Sequence, residues 1–152
     1  MQTNMIPNSI IIHHSASGKN TTLEQINEWH KARDFPLSTL GFYIGYHFVI
    51  FPDGSVVNVR SPYEMGAHSP PNNGKIGICV VGNFMFDTLS ATQQVSLNSL
   101  VQNLKKLYSI TDVKGHRECN KTECPGDNLF KWVLQQRIFW LQSLINLLLK
   151  KP

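Results

Sequence analysis

The residues best equipped for chemistry in this chain are six histidines and three cysteines: His13, His14, His30, His47, His68 and His116, with Cys79, Cys119 and Cys124. His13-His14 closes the apolar run Ile10-Ile11-Ile12, and His116 closes a second strand-like stretch eight residues before Cys124. Strand ends facing a common sheet edge bring distant side chains together. Catalytic zinc takes three protein ligands from His, Cys and carboxylate and leaves the fourth position to water; two neutral imidazoles and a thiolate make such a set. A satisfied core histidine is the commoner fate of any one of them. Side chains alternate along a strand, so His13 and His14 point to opposite faces; one can serve, and periodicity leaves open which. The same alternation separates Tyr46 from His47. A different chemistry is open to the same residues, a thiol hydrolase with Cys124 as nucleophile and His116 as its base.

The elements that must position these groups are legible in outline. Ile10 to His14 is short, apolar and β-branched, as a buried strand should be. Thr22 with Gln25 forms a capping-box signature ahead of Leu23, Ile26 and Trp29 at helical spacing, ending near Arg33. Tyr46 to Phe51 and Ser55 to Val59 predict a hairpin turned by Pro52-Asp53-Gly54. Ile76 to Val81 is apolar on both faces, the mark of a central strand. Ser90 with Gln93 opens a long helix whose inner face is Leu97, Leu100, Val101, Leu104 and Leu107. A strand over Thr111 to Lys114 leads to Gly115-His116, and Pro125-Gly126-Asp127 is a turn with Asp127 as N-cap of a last helix. The order predicts an α/β (mixed) fold: one central mixed β-sheet flanked by helices. Ser61 to Gly74, rich in Pro and Asn, is a loop long enough to be functional.

Composition bounds the rest. The 152 residues suit a single domain, 1–152, with one sizeable core. A net charge of +4 without a dense Lys/Arg patch gives nucleic-acid binding no support. An odd number of cysteines makes no disulfide framework and fits a reducing compartment, or thiols that are buried or metal-bound. Cys79, within the central strand, is expected to be a small buried hydrophobe. Met1 to Pro7 has neither a basic n-region nor a long apolar h-region, so no signal peptide is visible. The expectation is a chain made in the cytoplasm that reaches any outside substrate after release or by another export route.

An ordered set of motifs then points further: Ile12-His13-His14-Ser15-Ala16, Trp29-His30, Gly45-Tyr46-His47-Phe48-Val49-Ile50, Asp53-Gly54, Arg60, Gly66-Ala67-His68, Asn73, Ile76-Gly77-Ile78, Val81-Gly82, Gly115-His116-Arg117 and Cys124-Pro125-Gly126. Over residues of about 9–136 the chain resembles the zinc N-acetylmuramoyl-L-alanine amidases of the second amidase type, a family that includes small phage amidase lysins (endolysins) and the peptidoglycan-recognition proteins. The resemblance implies one Zn2+ per chain on His13, His116 and Cys124, choosing His13 over His14. It sets Tyr46 beside the metal and His68 and Asn73 on the substrate groove. Arg60, at another family position, is expected with the substrate-binding set, with a structural role as the alternative for it and for His30. Thr122 falls where phage lysins carry a catalytic lysine and recognition-protein amidases often carry threonine, and a neutral hydroxyl cannot supply a lysine's charge. The implied activity is hydrolysis of the amide between N-acetylmuramic acid and L-alanine in peptidoglycan, with zinc activating water and polarising the carbonyl. Tyr46 or Thr122 would donate to the oxyanion, and Glu118 or Tyr46 would protonate the leaving nitrogen. The competing readings are a peptidoglycan-binding module that does not cut and the thiol hydrolase.

The residues 138–152 form an apolar extension beyond that match, ending in Lys150-Lys151, and are too short to cross a membrane. The expectation is a monomer in which this stretch docks on its own domain, with Leu129, Val133, Trp140, Leu144 and Leu148 along one side. The alternative is a helix lying on a membrane surface or serving self-association.

Overall fold

The structure, a computed structural model, describes residues 4–150. Lys151 and Pro152, the end of the predicted extension, lie outside the described residues, as do Met1, Gln2 and Thr3. A five-stranded sheet in the order β3-β2-β4-β1-β5 organises the chain. β1 (Ser9–His14) and β4 (Lys75–Val80) occupy its middle, flanked by β5 (Asp112–Gly115) on one side and by β2 (Phe48–Ile50) with β3 (Val56–Asn58) on the other. β1 runs parallel to β4 and β5, and β2 parallel to β4, while β2 and β3 pair antiparallel as a hairpin. The mixed α/β architecture is the expected one.

The apolar patterning divides the core between the two faces of the sheet. Ile10, Ile12, Ile76, Ile78 and Val80 pack beneath α2 (Ala91–Tyr108) and α3 (Asp127–Leu149) with Leu97, Val101, Leu129 and Val133. On the opposite face Val49, Cys79 and Val81 meet Ile26 of α1 (Leu23–Lys31) and Ile44. Burying each of these branched side chains stabilises the fold by roughly 1.5–3 kcal/mol. The alternation decides the histidines: His14 continues the Ile10–Ile12 face toward Phe84, whereas His13, in register with Cys79, faces the α1 side. Both capping boxes form, Thr22 with Gln25 and Ser90 with Gln93.

Three local expectations are corrected. The hairpin strands are shorter than the sequence suggests, and Tyr46 and His47 lie in bends just before β2. Leu107 is 71% exposed, because the stripe that α2 lays on the core runs through Leu97, Val101, Leu104 and Tyr108 and passes Leu107 by. Gly126, not Asp127, is the N-cap of α3; a Cβ there would stand 2.4 Å from the carbonyl carbon of Phe84, so only glycine lets the two backbones approach. The docked extension is corrected too. Leu129, Trp132 and Val133 are buried and Trp140 packs half-buried against the core, but Leu144 and Leu148, one and two turns farther along α3, are exposed.

Candidate active site and metal centre

Strand geometry brings the predicted ligands together. His13 is the penultimate residue of β1, and His116 follows directly on β5, its parallel neighbour. The chain then folds back through residues 119–123, held by the Arg117 amide donating to the Cys124 carbonyl at 2.8 Å and by the Arg117 guanidinium on the Glu123 carbonyl. This return sets Cys124 Sγ 3.6 Å from His13 Nδ1. One donor atom each from His13, His116 and Cys124 lies within 4.8 Å of the others. They line an open cleft of about 440 Å³ with Tyr46, His68 and Thr122.

Hydrogen bonds fix which ring nitrogens are free. The Lys75 carbonyl can only accept, so His68 Nε2, 3.2 Å away, carries the proton. His68 Nδ1 is therefore the acceptor for His13 Nε2–H at 2.9 Å, and His13 keeps a bare Nδ1 lone pair facing Cys124. Asn120 works likewise on the other ligand. Its Nδ2 donates to the Pro70 carbonyl at 2.8 Å and its Oδ1 accepts from the Ser69 hydroxyl at 2.9 Å, so at 3.0 Å Oδ1 accepts from His116 Nε2–H and frees Nδ1. The remaining histidines have spent their lone pairs on backbone amides: His14 Nδ1 accepts from Phe84, His30 Nδ1 from Gly45 and His47 Nδ1 from Gly77. Ligand imidazoles held by an outer partner are the usual device for orienting a metal site, and a site of two neutral imidazoles and a sulfur suits zinc.

Burial keeps the imidazoles uncharged, as ligation requires. It lowers His13 and His68 well below the usual histidine value, with neighbouring imidazoles adding to the effect. His116 is lowered as well, chiefly by burial, against the raising effect of Asn120. Burial pushes the Cys124 thiol the other way, up to about 11. The His68 ring can lie on the strand only because residue 77 is glycine; a Cβ there would meet the ring at 2.8 Å.

The other predicted residues divide. The Tyr46 ring packs 5.0 Å from that of His13, its hydroxyl beside the Cys79 thiol, and burial holds that hydroxyl protonated. Thr122 lines the cleft, with Oγ1 accepting from the Cys124 amide at 3.2 Å. Glu118 is not brought in: its carboxylate accepts from the Gly115 amide at 2.8 Å and pairs with Arg137 at 2.6 Å, outside the cleft lining. Arg60 is 1% exposed and donates to the carbonyls of Ile44 and Pro36, so it braces the loop before β2 and does not face substrate. Asn73 is exposed and absent from the cleft lining, while its neighbour Asn72 accepts from the His68 and Ser69 amides and shapes the loop. Cys79 is fully buried, as expected.

Asn120 escaped the sequence reading, as did the two charged cleft residues Arg33 and Glu123. Glu123, next to Cys124, carried a signal in its position alone. Asn120 carried none, because its role depends on Pro70, fifty residues away.

Three kinds of likeness accord with this geometry. A family model described as N-acetylmuramoyl-L-alanine amidase matches residues 3–127. Peptidoglycan-recognition protein SC1a of Drosophila melanogaster is 39% identical over 128 residues, 79% of this chain and 68% of that protein. The endolysin of Escherichia phage T7 is 31% identical over 132 residues, 82% of this chain and 83% of that one. Among solved structures, the endolysin N-acetylmuramoyl-L-alanine amidase LysCS from Clostridium intestinale URNW superposes with a TM-score of 0.76 at 38% identity, over 84% of this chain and 80% of that one.

Proposed function

The chain belongs to the N-acetylmuramoyl-L-alanine amidase family, and from that premise we propose that it is a zinc amidohydrolase that cleaves the amide between N-acetylmuramic acid and the L-alanine of the peptidoglycan stem. The observation that carries the proposal is the pair of bare Nδ1 lone pairs on His13 and His116 grouped with Cys124 Sγ in an open cleft. With Cys124 as thiolate, these three residues would hold the ion. A zinc ion there would polarise the scissile carbonyl and make water a competent nucleophile near neutral pH.

The chain's own groups supply the rest. His68 and Asn120 hold the two imidazoles in the ligating tautomer. Tyr46, kept protonated by burial, donates its hydroxyl hydrogen to the oxygen that gains charge as the carbonyl carbon becomes tetrahedral. Thr122, at the rim on the Cys124 side, offers a second hydroxyl to the same region. Glu118, occupied by Arg137, takes no part in proton transfer.

A thiol hydrolase needs a thiol of lowered pKa; the Cys124 thiol is pushed up to about 11 by burial. The test is digestion of defined muropeptides with mass spectrometry of the products, before chelation, after chelation and after zinc add-back. Release of a free L-alanyl peptide that stops on chelation and returns with zinc is the expected result. Cleavage that persists in fully metal-free protein makes Cys124 the nucleophile. Muropeptide binding without cleavage by the zinc-loaded protein makes the domain a recognition module.

A further inference from the structure

The final turns of α3 carry an apolar surface that the domain does not use. Leu134, Ile138, Leu141, Ile145 and Leu148 recur at i, i+4, i+7, i+11 and i+14, a stripe along one side of the helix. All five are exposed, Ile138 at 58% and Leu148 at 60%. Leu144, Leu147 and Leu149 widen the apolar arc and are exposed as well. The polar positions Gln135, Gln142, Ser143 and Asn146 lie on the other side, with the exposed Phe139 among them at the root of these turns. The helix is thus amphipathic where it leaves the sheet, with its apolar side in water.

Its charges are of one sign. Between Asn128 and Lys150 the chain has Lys131, Arg137 and Lys150 and neither Asp nor Glu. Arg137 is engaged with Glu118, but the last turn of α2 adds Lys105 and Lys106, and Lys105 Nζ stands 3.6 Å from the centroid of the Trp140 ring, at the root of the projecting turns. Asp112, which lines the groove beside Leu141 and Leu144, is paired with Lys114 at 2.9 Å, so the border of the wide apolar arc is cationic on balance and complements a surface of acyl chains beneath anionic headgroups. From Ile138 to Leu149 the helix is about 18 Å long, well short of the hydrocarbon thickness, and no described helix is long and apolar enough to cross a membrane. It would lie in the plane of the interface.

A second copy fits less of what is exposed. The spacing Ile138, Leu141, Ile145, Leu148 matches two heptads of a two-helix seam, but such a seam is narrow and would leave Leu144, Leu147 and Leu149 in water.

We infer that the projecting end of α3 docks this domain on anionic phospholipid bilayers, with Leu141, Ile145 and Leu148 inserted and Lys131 and Lys150 at the headgroups. The test is co-sedimentation of the full chain with vesicles of phosphatidylglycerol and phosphatidylcholine in equal parts, against vesicles of phosphatidylcholine alone. Binding to the anionic vesicles is expected to exceed binding to the neutral ones by about tenfold, to weaken as salt rises, and to drop about tenfold or more in Leu141→Glu/Ile145→Glu. The melting temperature of each variant checks that the domain is folded, and Leu148→Glu, farther from the sheet, replaces the pair if that variant does not fold. A wild-type chain left in the supernatant with anionic vesicles overturns the inference. So does a lipid-free dimer by sedimentation velocity that Ile145→Glu dissolves while vesicle binding is absent; the face then belongs to a second copy.

Discussion

His68 Nδ1 accepts the Nε2 proton of His13 across 2.9 Å, and this contact turns the Nδ1 lone pair of His13 toward Cys124. His68 touches no proposed ligand atom itself, yet it sets the tautomer of one. The same logic joins Asn120 to His116.

His68→Ala is therefore expected to weaken zinc binding about 10- to 100-fold, the usual cost of losing an outer partner of a ligand. His68→Gln should recover part of that loss, because an amide can accept from His13 and donate to the Lys75 carbonyl. Competition with a chromophoric chelator measures both. Equal zinc affinity in wild type and His68→Ala would remove the positioning role.

The sheet and its helices were legible because their signals are local. The apolar run of β1, the two capping boxes and the Pro52-Asp53-Gly54 turn each depend on neighbours in sequence, and each was found. The ligand set came from the ordered motifs. Alternation alone stopped at a choice between His13 and His14, and the structure separates them by face: the His14 ring turns to Phe84, the His13 ring to Cys124. What stayed hidden depends on distant contacts. Nothing near Arg60 announces that its guanidinium caps the Ile44 and Pro36 carbonyls, and nothing near Glu118 announces Arg137, nineteen residues later on α3. The projecting end of α3 departs from expectation for a related reason. An apolar helix predicts burial, and only the extent of the sheet says whether there is anything to bury it against.

Glu118 offers a clean separation of structure from chemistry. Its carboxylate joins β5 to α3 through the Gly115 amide and the Arg137 guanidinium. Glu118→Gln should leave turnover within about threefold and lower stability by about 1 kcal/mol, the scale of one charge-assisted hydrogen bond at a partly exposed site. Denaturant unfolding and a muropeptide assay measure the two effects. A hundredfold loss of turnover with unchanged stability would return Glu118 to the proton-transfer step.

Tyr46 carries the opposite expectation. Phenylalanine preserves the ring that packs against His13 and His30 and removes only the hydroxyl. If that hydroxyl stabilises the developing oxyanion, turnover should fall on the order of 10²–10³. Zinc content, melting temperature and muropeptide affinity should hardly change, because the lost bond belongs to the transition state. A zinc-loaded Tyr46→Phe protein with undiminished turnover would pass the donor role to Thr122.

Acid should unfold the metal-free domain through its histidines. Burial is the first cause in all six, and it lowers each below the usual value, with His14, His30 and His47 brought to about 4. The folded protein thus refuses protons that the unfolded chain accepts once the pH drops below about 6.5. Unfolding then takes up protons, so stability must fall as pH falls. The contribution is fully present above pH 6.5 and is lost progressively as pH falls toward about 4. A shift from 6.5 to about 4 is worth up to about 3 kcal/mol for a group that stays folded throughout. The carboxylates whose values are lowered, such as Glu64 and Asp87, act in the same direction but only below about 4.5, so the slope between 6.5 and 4.5 belongs to the imidazoles. Urea unfolding in chelator at several pH values across that window isolates the effect from metal release. The midpoint should drop steadily with acidification, and His30→Gln, which keeps an acceptor for the Gly45 amide, should flatten the slope. A midpoint constant from pH 7 to 4.5 would mean that the folded histidines titrate as freely as unfolded ones.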